Sequence, residues 1–211
     1  LKQTIIVCTG DLIDKGNINV NESKNTFDVF KDEVIDVICK ELSIPLERFF
    51  IVAGNHDMVR NNDSERIEKG NREYYKNYNN ILSSVKDFLD KDEREGVRRN
   101  IPFSIFNTSL YENIELYNKY ISFLGSAFIC EINSLKIGIA CLNSSWRSYD
   151  DTDKDFLILG EEQLNRCSNF IKDCDIKIAL MHHPLDWFKL EKNIISDHIN
   201  KDYHMLFVGH V

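Results

Sequence analysis

Residues Phe49 to Asp57 read FFIVAGNHD: a five-residue apolar run, then a glycine, then three side chains with oxygen or nitrogen donors. A run this short and this rich in aromatic and β-branched residues, stopped by glycine, is a buried strand rather than a helix. Upstream, Gln3 to Thr9 (QTIIVCT) is a second such run, and it stops at Gly10-Asp11. Between the two, Phe27, Phe30, Val34, Val37, Ile38 and Leu42 recur every three or four residues, with Asn25 or Thr26 available as N-cap and Pro45 just past the end. That is an amphipathic helix. Strand, helix, strand implies a right-handed crossover with both strand tips at one sheet edge, which brings Asp11 to Asn55.

Downstream, residues Met58 to Phe123 are more polar, and Ile81, Val85, Phe88 and Leu89 give them an inward helical face. We read 58–123 as a helical insertion or cap, with Tyr74, Tyr75 and Tyr78 on its packed side. Ala127 to Asn133 and Lys136 to Asn143 form a hairpin pattern that opens a second sheet. A helix begins at Gly160-Glu161, and a strand, Lys177 to Met181, ends in His182-His183-Pro184. A last strand, His204 to Val208, ends in Gly209-His210. Strand after strand thus finishes in a metal-ligand residue type: Asp11, Asn55, His182 and His210. In open α/β sheets a ligand site lies beyond the carboxyl ends of the strands, where these four can meet.

With 211 residues and 43% hydrophobic content the chain buries one core, roughly 70% of its unfolded surface, and no Pro-rich or Ser-rich linker divides it. A single domain over 1–211 is expected. No apolar run approaches the roughly 18 residues that span a bilayer, so no membrane role is expected. The six cysteines form no CxxC pair and several sit in apolar runs; they read as buried free thiols of a reducing, cytoplasmic setting. A net charge of −8 does not point to nucleic acid, whose sequence-independent binding needs clustered Lys and Arg. The one cluster, Arg94, Arg98 and Arg99, is mixed with Asp92, Glu93 and Glu95 and reads as a solvated helix end.

A carboxylate, an amide oxygen and two imidazoles make a mixed O/N donor set suited to Mn, Fe or Zn rather than Ca or Mg. The two oxygens of Asp11 allow it to bridge two cations, and a bound cation lowers the pKa of water from about 15.7 toward 7. Taken singly, each residue has a plainer reading: Asp11 as a turn or cap residue, Asn55 as a left-handed turn former, His182 and His183 as packed strand-end residues. Their order along the chain favours metal binding. Arg147 follows a strand as substrate-facing loops do and is a candidate bidentate contact to phosphate.

GDLID (Gly10–Asp14), GNHD (Gly54–Asp57), MHHP (Met181–Pro184) and GH (Gly209-His210) together resemble the ordered signature of calcineurin-like metallophosphoesterases. The resemblance implies a four-layer αββα sandwich of two mixed sheets flanked by helices. It also implies a centre of two divalent metal ions that hydrolyses phosphate esters with metal-bound hydroxide. By that likeness Asp11 bridges the metals, and Asn55, His182 and His210 complete the second metal site. His56 stands against the substrate, Asp57 orients its imidazole, and His183 supports the ligands, touches substrate or simply packs. The family's DxH motif before GD, and its final His two residues after GH, have no counterpart within Leu1 to Val211. One metal site is therefore only partly encoded, the segment is expected to be truncated at both ends and inactive alone, and further domains outside it are allowed. Leu185, Asp186 and Trp187 after HHP, with the GEEQL helix start, resemble the cyclic-nucleotide and nucleoside phosphodiesterases more than the Ser/Thr protein phosphatases. A nuclease, or a regulatory domain that has kept the fold and lost the chemistry, is the alternative.

Overall fold

A computed structural model describes residues 3–14, 16, 19–20, 24–60, 63–91 and 94–210. β1 (Ile6–Cys8) pairs in parallel with β2 (Phe49–Ile51), Ile6 opposite Phe49 and Cys8 opposite Ile51. The crossover between them is α1 (Thr26–Phe30), a π-helical turn (Lys31–Ile35) and α2 (Asp36–Leu42). Asn25 starts it with a capping box: its side chain accepts from the Phe27 and Asp28 amides at 2.9 and 3.1 Å, and its own amide donates to Asp28 at 2.8 Å. Ser43, left-handed at φ 53°, ends α2 two residues before Pro45.

The second sheet has the order β3 (Lys119–Ile121), β4 (Ser126–Ile132), β5 (Leu135–Cys141), β6 (Ile176–Met181), β7 (Met205–Val208). Its first three strands are antiparallel, and β6 and β7 run parallel to β5. Strand alternation divides its side chains between two cores. Phe128, Ile137, Ile139 and Cys141 face β2 and the α1 side, whereas Ala127, Ala140 and Leu142 face α6 (Glu161–Phe170) and α7 (Lys192–Asp202) through Leu164, Cys167, Ile195 and Ile199. The result is the expected sandwich of two sheets flanked by helices. The larger sheet is mixed; the smaller holds, among the described residues, two parallel strands only.

Within 58–123 lie α3 (Glu65–Tyr74), α4 (Tyr78–Asp90) and α5 (Ile101–Leu110). They divide in function. α5 gives Phe103, Phe106 and Leu110 to the main core, Phe27 stacking on Phe106 at 4.8 Å. α4 turns Ile81, Val85 and Phe88 toward Trp146 and Ile158 in a core of its own. Contrary to the solvated reading, Arg99 is wholly buried; Asp92 and Glu93 lie outside the described residues. Arg99 is buried because its charge is met from several sides, by Asp63 at 3.1 Å and Glu68 at 3.0 Å, with Ser148 O accepting at 3.0 Å.

All six cysteines are free thiols, and no helix among the described residues is long and apolar enough to cross a membrane. Glu191 is a buried acid that holds the start of α6: its carboxylate accepts from the Leu159 and Gly160 amides at 2.8 and 3.1 Å. Burial outweighs those hydrogen bonds and pushes its pKa up from 4.5 to about 7. A raised carboxyl pKa stabilises the fold fully below the unfolded value and loses that contribution as pH rises through the folded one. The protein is therefore expected to lose about 3 kcal/mol through this group between pH 4.5 and pH 8. Urea titrations across that range should show a shallower decline in Glu191→Gln, and parallel profiles for the two proteins would refute the assignment.

Candidate metal centre

The ends of β1, β2, β6 and β7 converge because glycines remove the side chains that would hold them apart. A Cβ on Gly54 would stand 2.1 Å from the Asp11 amide nitrogen, and one on Gly10 would stand 2.4 Å from His182 Nδ1. Gly10 also has φ 100°, which L side chains rarely adopt. Asp11 and His210 are themselves left-handed, at φ 55° and 51°, a strain of order 1–3 kcal/mol each that concentrates at functional sites.

His182 is fixed by its tautomer. Its Nδ1 donates to the Thr9 carbonyl at 2.7 Å, so Nε2 carries the lone pair. That atom lies 3.0 Å from Asn55 Oδ1, 3.0 Å from His210 Nδ1 and 3.5 Å from Asp11 Oδ1. Asn55 Oδ1 is also 3.2 Å from His210 Nδ1 and 3.3 Å from Asp11 Oδ1. Four possible ligand atoms thus cluster around His182 Nε2 and Asn55 Oδ1. At bond lengths of about 2.1 Å, neighbouring donors lie about 3.0 Å apart around an octahedral ion and about 3.4 Å apart around a tetrahedral one. The donor set and its spacing fit a divalent cation. Without a cation, the Asn55 amide can turn over, which puts its NH₂, with two hydrogens to donate, within reach of His182, Asp11 and His210 while its oxygen accepts from Arg60 at 3.0 Å. Burial, with His210 and His56 nearby, holds the His182 pKa below its ordinary value against the pull of Thr9 and Asp11, which keeps the imidazole neutral for ligation.

Two of the expected roles change. Asp57 does not orient His56: its buried carboxylate accepts from the Gly54 amide at 2.7 Å and the Ile13 amide at 3.0 Å, tying together the two loops that carry Asp11 and Asn55. His56 Nδ1 instead lies 3.2 Å from Asp14 Oδ1, and its backbone amide donates to Asp11 Oδ1 at 3.1 Å. Arg147 is not at the centre. It is 2% exposed, bound to Glu68 at 2.7 Å and to Gly96 O at 3.2 Å, because a buried guanidinium goes to its counter-ion rather than to a solvent-facing cleft.

His183 lies beside the ligands, with rings 4.7 Å from His182 and 4.8 Å from His210. Ser144 Oγ accepts from the backbone amides of His182 and His183 at 3.1 and 3.0 Å, and its hydroxyl reaches His183 Nδ1 at 3.1 Å. His183 Nε2 is buried and has no hydrogen-bond partner among the described residues. Burial and the two neighbouring histidines push its pKa down to about 2. Trp187, whose ring is 4.4 Å from that of His210, closes this side. The contributions of Asp14, Ser144 and Arg60 have no sequence signal beyond their nearness to the motifs. A cavity of about 660 Å³ elsewhere on the molecule is bordered by Arg48, Tyr117 and Lys136 and by none of these residues.

A family model described as calcineurin-like phosphoesterase matches residues 1–211. No curated protein and no solved structure matches the chain. The full-length match and the converging strand tips agree: the chain belongs to the calcineurin-like phosphoesterase family, in which metal-dependent hydrolysis of phosphate esters is typically carried out at a dinuclear centre.

Proposed function

We propose that Asp11, Asn55, His182 and His210 bind one divalent cation of the Mn, Fe or Zn type, and that the chain contributes this centre to hydrolysis of a phosphomonoester or phosphodiester. The observation that carries the reading is that His182 Nε2 and Asn55 Oδ1 lie 3.0 Å apart and each lies within 3.0 to 3.5 Å of both His210 Nδ1 and Asp11 Oδ1, with the His182 tautomer fixed by Thr9. When bound, the cation supplies an acidic water and a positive field for phosphoryl oxygens. The side chains supply position. Thr9 directs the lone pair of His182, and Asp57 sets the distance between Asp11 and Asn55. Asp14 accepts from Nδ1 of His56 and so favours the doubly protonated imidazole, whose Nε2–H is the proton available to a phosphoryl oxygen or to the departing alkoxide. His183 borders the same space as a substrate contact, and α3 with α4 forms the cap beside it. A net charge of −8 favours a small ester over a nucleic acid backbone.

The test is Mn²⁺ titration calorimetry together with hydrolysis of p-nitrophenyl phosphate, bis-p-nitrophenyl phosphate, a cyclic nucleotide and single-stranded DNA. Asn55→Ala is expected to lower Mn²⁺ affinity and turnover beyond the roughly 10–100-fold that loss of an outer hydrogen-bond partner costs. Unchanged Mn²⁺ affinity in that variant would sink the assignment. Preference for DNA would replace the small-ester reading with the nuclease one.

A further inference from the structure

We propose that Arg60 binds the phosphoryl group at this centre and that the groove beside it receives the alcohol portion of the ester, a neutral hydroxyl-bearing group; this rests on the metal reading above. Arg60 Nη2 lies 3.0 Å from the side-chain nitrogen of Asn55. Once Asn55 Oδ1 is committed to a cation the amide cannot turn over, and its NH₂ faces the guanidinium, donor against donor. Two unpaired donors at the rim of a cation centre are resolved by an anionic oxygen between them, and a guanidinium is the side chain best shaped to accept one. Arg60 is available for this. Among the described residues its ion pair is with Asp151 at 3.8 Å, where Asp151 is fully exposed, a contact too long and too solvated to hold it.

Arg60 also lines a groove of 440 Å³ with Lys69, Arg72, Tyr149 and Asp150. The charges along that groove are already matched: Lys69 pairs with Glu65 at 2.6 Å, and Arg72 pairs with Glu68 and Asp150 at 3.1 and 3.3 Å. Its wall therefore offers many donors and acceptors and little free charge, which suits a sugar-like alcohol better than an apolar or anionic one.

The test is calorimetric binding of inorganic phosphate and of ribose 5-phosphate to the Mn²⁺-loaded protein. Arg60→Ala is expected to weaken phosphate binding by about 10-fold or more, to leave Mn²⁺ affinity within about threefold, and to be partly rescued by Arg60→Lys. Ribose 5-phosphate should bind the parent protein about 10-fold more tightly than phosphate if the groove adds hydrogen bonds. Unchanged phosphate affinity in Arg60→Ala with Mn²⁺ bound would overturn the phosphate assignment alone, and equal affinity for the two ligands would overturn the groove. Absence of Mn²⁺ uptake by the parent protein would overturn the metal reading and this proposal with it.

Discussion

Gly54→Ala is expected to abolish metal binding and activity while leaving the fold intact. Alanine has no backbone objection here, since Gly54 is extended at φ −99°. The obstacle is steric: the new methyl would stand 2.1 Å from the Asp11 nitrogen and 2.2 Å from Asp11 Oδ1, inside the roughly 3.5 Å at which such atoms rest. One of the two strand tips must retreat by about 1 Å, and a displacement of that size at a reacting centre costs about 100-fold in rate. It also parts Asp11 from Asn55, now 3.3 Å apart, beyond what one ion spans at about 2.1 Å per bond. Mn²⁺ affinity is expected to fall at least about 100-fold, with far-UV circular dichroism and cooperative melting retained. Gly70→Ala is the control. Gly70 lies in α3, and a methyl there meets nothing within 4 Å, so it should be neutral or stabilise by up to about 1 kcal/mol. Normal Mn²⁺ affinity in Gly54→Ala would show that the close approach of β1 and β2 does not set the ligand spacing.

The strand tips were legible in the sequence because each is a local event: a short apolar run, a glycine, then a donor residue. QTIIVCTGD and FFIVAGNHD carry their fold and their chemistry in adjacent residues, so periodicity and order identify both. What surrounds the donors was not legible, because it depends on pairings between distant segments. Asp14 resembles any loop cap until His56, 42 residues away, is placed beside it. Asp57, next to His56 in sequence, points instead to the Gly54 and Ile13 amides. Arginines in polar stretches are usually exposed, yet Arg99 and Arg147 are buried because Glu68, 31 and 79 residues away, meets both. Arg60, which carries no motif, is the arginine next to Asn55.

Glu68→Ala is expected to be the most destabilising single substitution in the stretch between β2 and β3. Glu68 is 3% exposed and its two oxygens serve three arginines: Oε1 accepts from Arg147 at 2.7 Å and Arg72 at 3.1 Å, and Oε2 accepts from Arg99 at 3.0 Å. Truncation would leave two buried guanidinium groups short of counter-charge. Asp63 still faces Arg99 and Asp153 still faces Arg72, but among the described residues Arg147 keeps no carboxylate partner. Breaking a buried pair in this one-sided way costs about 3–5 kcal/mol, against a total of about 5–15 kcal/mol for a whole domain. Urea unfolding should register that loss, and a decrease of less than about 1 kcal/mol would contradict it. Replacing both partners separates charge from volume, so Glu68→Met with Arg147→Met should recover part of the stability lost in Glu68→Ala. Recovery should not extend to the added affinity for ribose 5-phosphate over phosphate, because α3 supplies Glu68 to the wall of the groove that Arg60 opens, and an apolar wall offers a sugar-like alcohol no hydrogen bonds. Stability and recognition therefore part company at this residue, and the double variant measures the two separately.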